Sequence, residues 1–171
     1  MELALCRSPV QHSVYFVFKS LFYKFIKPLS ADVAAPQVLL VNKKYLASYT
    51  AKTVMMWTSE SVDQSWWTED NAAECLTVLL LALQSAFECR TLDHYFVSSV
   101  NLLDGVLVVL ASRVVDTVQS ILADPAAVVA QLESYFKKVE VFFNALPEQA
   151  KFENVLENVV KLASSFCAPF T

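Results

Sequence analysis

The chain has 171 residues, of which 56% are apolar and 18% charged, and its formal net charge is −4. Gly105 is its single glycine, whereas average usage of about 7% would give roughly twelve, so glycine-rich phosphate loops and dinucleotide-binding fingerprints are excluded. Tight hairpins that depend on Asn-Gly or Asp-Gly turns are also disfavoured, and the composition therefore predicts an all-α chain.

The first predicted element is a helix near the amino terminus. After a frayed start that ends at Pro9, an apolar and aromatic run predicts a helix over 11–27, which Pro28 ends. Residues 28–41 are typical of a long connection, and a short strand pairing is expected only near 37–41. This part of the chain therefore predicts one amphipathic helix followed by a linker.

A second helix is predicted over 48–60, with Ser48 as its N-cap. The segment 61–68 is polar apart from Trp66 and Trp67, which indicates a loop that buries one indole. The helical pattern resumes after this loop.

The third helix is predicted to begin at Thr68 and to end near Cys89. Thr68 can cap it, and Glu69 and Asp70 in the first turn suit the helix dipole. Because this segment is apolar on nearly all sides, we expect it to be the central helix of a bundle.

The next segment, 92–96, predicts a short helical turn that precedes an extended piece ending at Val100. Residues 101–123 predict another helix, with Gly105 inside its first turns. No strand is expected in this region.

Two final helices are predicted to form an antiparallel hairpin. Asp124 as N-cap and Pro125 at the first helical position begin one of them, and Pro147 begins the other. The predicted fold is therefore an all-α bundle of about six or seven helices that ends in a helical hairpin.

Charge is distributed unevenly along the chain. Residues 1–60 carry seven basic and three acidic side chains, a balance of +4, whereas residues 61–171 carry six and fourteen, a balance of −8. Basic side chains at one end can form a local anion site, or they can lie on a solvated helix face. The acidic chain as a whole is unsuited to avid nucleic-acid binding.

The four cysteines and two histidines show no metal-binding spacing, and no cofactor is expected. Cys75 and Cys89 fall on apolar helical positions, which predicts buried free thiols. There is no secretory signal, and the most apolar runs are shorter than the roughly 20 residues of a membrane span. We expect an intracellular, cytoplasmic protein without a membrane span.

Catalytic residues are not predicted from these patterns. The carboxylates are scattered over helix surfaces, where they form no pair suited to magnesium. His12 and His94 lie far apart in sequence, and neither is close to a serine or cysteine in a nucleophile context.

The segment Leu46–Trp57 carries a family resemblance. Its sequence, Leu-Ala-Ser-Tyr-Thr-Ala-Lys-Thr-Val-Met-Met-Trp, resembles the Ser-Ser-Tyr-His-Leu-Lys-Thr signature of the male-abnormal-twenty-one (Mab) family, relatives of cyclic GMP-AMP synthase. The segment Leu92–Leu103 is similar to a later block of that family, Leu-x-x-Tyr-Phe-x-Pro-x-x-Asn-Leu. The resemblance covers residues 11–123, whereas 124–171 has no counterpart and is expected to be a helical hairpin extension.

The resemblance implies the C-terminal helical lobe (helix-hairpin-helix-like) of a two-lobed nucleotidyltransferase-fold protein. This lobe supplies no catalytic carboxylate in the cyclising relatives. The resemblance also implies nucleotide-binding roles for Lys19, Ser48 and Tyr49. The first two would bind triphosphate, and the tyrosine ring would stack on a base. The signature histidine is replaced by Thr50 and its first serine by Ala47. The zinc-binding insertion and the Gly-Ser motif of the synthase are absent from this sequence.

Three functional hypotheses follow from the sequence. The first is a non-catalytic interaction module that docks a protein partner, either a nucleotidyltransferase-like lobe or a second copy of itself. The second is the C-terminal part of a cyclic-dinucleotide synthase whose catalytic lobe lies outside this chain. The third is a nucleotide-sensing remnant that uses Lys19, Ser48 and Tyr49. Alternatively, Tyr49 and Lys52 only pack and cap their helix.

Overall fold

The computed structural model describes residues 8–32 and 46–143, with side chains for 8–30 and 46–134. The predicted strand pairing near 37–41 and the helix after Pro147 lie outside the described residues. The described elements, in chain order, are α1 (Pro9–Leu21), a π-helical turn (Phe22–Ile26), α2 (Leu29–Asp32), α3 (Ser48–Ser61), a 3₁₀ turn (Gln64–Trp66), α4 (Ala72–Cys89), β1 (Asp93–His94), β2 (Val97–Asn101), α5 (Val108–Ala123) and α6 (Pro125–Phe143).

Helix α1 begins at Pro9, two residues earlier than the sequence predicts. The Gln11 N–H donates to the Ser8 hydroxyl (3.2 Å), and the Gln11 side-chain oxygen accepts from the Ser8 N–H (3.0 Å). This reciprocal capping box, with Pro9 at the first helical position, satisfies orphan donors of the first turn. The supposed frayed start is therefore partly a helix start.

Helix α3 begins at Ser48, as predicted, but Ser48 is its first helical residue and not its N-cap. The N-cap is Ala47, whose extended backbone (φ −76°, ψ 142°) has the usual N-cap conformation without a side chain that can accept a hydrogen bond. In the turn that follows α3, Trp67 is buried and Trp66 half-buried, which confirms that this segment buries one indole.

Helix α4 begins at Ala72, later than the predicted start at Thr68. The Thr68 hydroxyl accepts from the Asn71 N–H (3.3 Å), and the Asn71 side-chain amide donates to the Trp66 carbonyl (3.0 Å). Asn71 is the N-cap, although its side chain makes no capping hydrogen bond, and the acidic residue of the first turn is Glu74.

The central position predicted for α4 is confirmed, since it packs against α1, α3 and α5. By length and composition this helix could cross a membrane, and half of its residues are buried inside the bundle, as in the core helix of a globular protein. Its fully buried leucines form the middle of the hydrophobic core: Leu76, Leu79, Leu80 and Leu83.

The predicted helical turn at 92–96 is wrong, because β1 and β2 form an antiparallel hairpin there. The turn between the strands needs no glycine. The His94 ring nitrogen Nδ1 accepts from the N–H groups of Phe96 and Val97, both at 3.2 Å. A side chain thus supplies the acceptor that closes the turn.

The helix predicted over 101–123 begins only at Val108. Gly105 lies before it in a turn, at φ 77°, a left-handed conformation that favours glycine. Helix α6 begins at Pro125 as predicted, and the Asp124 carboxylate accepts from the Ala127 N–H (3.1 Å). Apart from the short hairpin, the described residues confirm an all-α fold.

The prediction of two buried thiols is half right. Cys75 is buried in the core, and its desolvation raises the pKa of the thiol to about 11. Cys89 is exposed at the last position of α4, because the helix turns this residue away from the bundle.

Candidate functional site

The start of α3 holds two of the three residues that the resemblance assigns to nucleotide binding. Ser48 is exposed at the first helical position, and Tyr49 follows it, half-buried. Since Ala47 offers no capping side chain, the N–H groups of the first turn lack a side-chain acceptor at this N-cap. Exposed N–H groups at a helix start, with the positive end of the dipole, favour an anion.

Tyr49 is packed against the hairpin. Its ring stacks on the His94 ring with 4.9 Å between centroids and an interplanar angle of 28°. Its hydroxyl is buried without a hydrogen-bond partner among the described residues, as is the hydroxyl of Thr53 one turn later. One face of Tyr49 is therefore occupied, and a base could stack only on the other.

Lys19 lies on a different helix and is exposed on α1. Its ammonium is 5.7 Å from the centroid of the Tyr23 ring, and the ammonium of Lys27 is 4.5 Å from the same ring. Among the residues whose side chains are described, no hydrogen bond, ion pair or ring contact joins Lys19 to Ser48 or Tyr49. The structure thus brings together the two α3 residues but does not join Lys19 to them.

Lys52 is a cation at this site for which the sequence predicted only a packing or capping role. It is exposed and lies four residues after Ser48, so the two side chains are neighbours on one helix face. The helical period alone could have identified it.

An aromatic cluster fixes the hairpin to α3. The Trp57 indole N–H donates to the Asp93 carbonyl (2.9 Å), and the Trp57 and Tyr95 rings meet edge to face with centroids 5.1 Å apart. The Tyr95 hydroxyl donates to the Glu60 carboxylate, and this bond raises the pKa of Tyr95. Sequence reasoning missed this cluster because its members come from two elements.

Asn101 fixes the base of the hairpin. Its side-chain oxygen accepts from the N–H groups of Leu92 (2.9 Å) and Leu103 (3.0 Å), and its amide donates to the Arg90 carbonyl (2.9 Å). Three backbone segments are thus held by one side chain. Arg90 itself has a left-handed backbone (φ 54°) at the end of α4.

The hairpin and the start of α5 carry most of the exposed apolar surface. Of the seven large apolar side chains exposed among the described residues, six lie between Phe96 and Val109. Phe96 and Val108 are the most exposed, at 63% and 61%. The remaining four of these six are Val97, Val100, Leu107 and Val109. We call these six residues the apolar surface.

A solvent-open groove of about 330 Å³ lies between α3, α4 and the beginning of the hairpin. It is lined by Val54, Trp57, Thr58, Ala82, Thr91, Leu92 and Asp93. The part of the chain described here contains no cluster of three or more His, Cys, Asp or Glu side chains that could hold a metal ion.

Comparison with known proteins identifies one family model. The model for the Mab-21 protein HhH/H2TH-like domain matches residues 19–120, which is more than half of the chain. No curated protein and no solved structure gives a significant match. The matched range includes α3, the hairpin and nearly all of α5.

Proposed function

Because the chain belongs to the Mab-21 family through its HhH/H2TH-like domain, we propose that it is a non-catalytic docking module for a protein partner. The observation that carries this proposal is the apolar surface between Phe96 and Val109. Six large exposed apolar side chains in one short stretch of the chain exceed the single exposed apolar residues of an ordinary surface, and such a concentration is typical of an interaction site. Burial of half of a valine or phenylalanine side chain contributes about 1 kcal/mol, so several such residues supply useful binding energy.

The partner we propose is a nucleotidyltransferase-like lobe or a second copy of this chain. The family domain supports the first partner, since the resemblance implies one lobe of a two-lobed protein. The second partner requires the same surface on both copies, because a twofold interface is self-complementary. Sedimentation of the full chain at increasing concentration separates the two: only a second copy gives concentration-dependent dimers.

A hydrophobic reporter dye tests the exposure of this surface. We expect the full chain to bind the dye, and the double variant Phe96→Ser, Val108→Ser to bind much less. Leu81→Ser is the matched control, because Leu81 is 47% exposed on α4, outside the apolar surface. A monodisperse monomer that binds no dye would contradict the proposal, as would equal dye binding by the double variant and the control.

Nucleotide binding at the start of α3 is the second candidate function, as part of a cyclic-dinucleotide synthase or as a sensing remnant. The uncapped helix start, with Ser48 and Lys52 on one exposed face, favours it. We expect ATP or GTP to raise the melting temperature of the full chain. Lys52→Gln reduces the shift, whereas Lys27→Gln, directly after the π-helical turn and outside α3, leaves it unchanged.

The roles of Lys19 and Tyr49 are tested separately. Lys19→Gln reduces the thermal shift only if α1 contributes to the same anion site. Tyr49→Phe removes the buried hydroxyl but keeps the ring, so a base that stacks on this ring still binds. Absence of any shift in the parent chain would refute nucleotide binding, and the coding sequence upstream of Met1 shows whether a catalytic lobe accompanies this domain.

A further inference from the structure

The groove between α3, α4 and β1 has the size of a pocket for one side chain or small ligand. Its volume of about 330 Å³ is at the lower end of the usual range of about 300–1,000 Å³ for ligand pockets. It is therefore too small for a whole helix. Its lining residues are one tryptophan, three aliphatic residues, two threonines and one aspartate.

The charge of the groove is negative. Asp93 is the ionisable residue of its lining; its side chain is exposed and has no ion-pair partner within the described ranges, and no basic residue lines the groove. The nearest cation along the chain is Arg90, whose guanidinium donates to the Val106 carbonyl (2.8 Å). A second carboxylate, Glu60, lies one turn of α3 beyond Trp57 and accepts from Tyr95.

Trp57 supplies the aromatic wall. Its position is fixed at two points, the hydrogen bond from its indole N–H to the Asp93 carbonyl and the edge-to-face contact with Tyr95. An indole is the best aromatic partner for a cation, and guanidinium stacks on aromatic rings more readily than ammonium because it is more weakly hydrated. An indole beside an unpaired carboxylate is thus complementary to arginine.

We propose that this groove binds an arginine side chain presented by a partner protein, with the guanidinium between the Trp57 indole and the Asp93 carboxylate. The aliphatic stem of the arginine packs on Val54 and Ala82. None of the six residues of the apolar surface lines the groove. A negative result for the groove would therefore not contradict docking through Phe96 and Val108, and the reverse also holds.

The test uses the isotope-labelled full chain and two probe peptides, acetyl-Leu-Arg-Leu-amide and its citrulline counterpart. Citrulline has nearly the shape of arginine but no charge. The reporter is the indole N–H resonance of Trp57, which the Trp57→Phe variant identifies. We expect a saturable shift with the arginine peptide and about fivefold weaker binding of the citrulline peptide, the effect of losing one exposed ion pair.

Asp93→Asn should weaken binding of the arginine peptide about fivefold and reduce the difference between the two peptides to the contribution of the Trp57 indole. This variant keeps the backbone carbonyl that accepts from Trp57, so the hairpin remains in place. Glu88→Gln, on the exposed end of α4 and outside the groove lining, is the control and should bind as the parent does.

Three results would overturn the proposal. They are the absence of a saturable shift at Trp57, equal affinity for the two peptides, and unchanged binding by Asp93→Asn.

Discussion

Replacement of Asn101 tests whether one side chain holds the hairpin on the bundle. Asn101→Ala removes three hydrogen bonds, two of them from partly buried N–H groups of Leu92 and Leu103. The third, to the Arg90 carbonyl, is exposed and contributes less. At about 1 kcal/mol for each of the inner bonds, the free energy of unfolding should fall by about 2–3 kcal/mol.

Urea unfolding of the full chain, followed by circular dichroism, measures this loss. For a chain of this length, the corresponding fall in melting temperature is about 4–12 °C. Asn101→Asp keeps the acceptor for Leu92 and Leu103 and loses only the donor to Arg90, so it should cost less than the alanine variant. Ser99→Ala, exposed in β2, is the control.

Hydrogen exchange gives a local check on the same variant. The amides of Leu92 and Leu103 should exchange faster in Asn101→Ala, because each loses its acceptor. The reasoning is refuted if Asn101→Ala unfolds within about 0.5 kcal/mol of the Ser99→Ala control.

Three other predictions concern local features of the bundle. Ala47→Ser should stabilise the chain by about 1 kcal/mol by supplying the N-cap acceptor that α3 lacks, measured by urea unfolding, and no gain would contradict the assigned cap. At pH 8, Cys89 should react with a thiol reagent while Cys75 does not, since a pKa of about 11 keeps the Cys75 thiol protonated; peptide mass spectrometry locates the label, and equal labelling would disprove it. Gly105→Ala should destabilise by roughly 1–2 kcal/mol because of the left-handed backbone, with Asp104→Ala close to neutral in the same unfolding assay.

Helical periodicity and the residues that start helices predict much of the bundle correctly. The central position of α4 follows from its apolar character on nearly all sides, and the start of α6 follows from Asp124 and Pro125. Both signals are local in sequence, and the tertiary structure does not override them. The family resemblance, based on Leu46–Trp57 and Leu92–Leu103, is confirmed by the matching family model.

The hairpin could not be predicted from composition, because the scarcity of glycine excludes only turns that need glycine. Here His94 closes the turn as a double acceptor and Asn101 holds its base. Such hydrogen bonds depend on where a side chain points, and composition and local sequence patterns do not reveal this direction. The same reason explains the late start of α5, since the segment after Asn101 is held in a turn.

The candidate site was likewise predictable only where its residues are close in sequence. Ser48 and Tyr49 are adjacent in sequence, so their common placement at the start of α3 was predictable. Lys19 belongs to another helix, and its distance from α3 depends on tertiary packing. The exposure of Phe96 was not predictable either, since an aromatic residue beside Tyr95 is equally compatible with a core position.

The most direct test of docking through the apolar surface is site-specific photo-crosslinking in cells that express the full chain. A benzophenone side chain replaces Phe96 in one sample and Leu81 in the other, because both positions are exposed but only Phe96 belongs to the apolar surface. The account predicts a protein adduct of defined mass from position 96 and none from position 81. No adduct from position 96, or the same adducts from both positions, would contradict it.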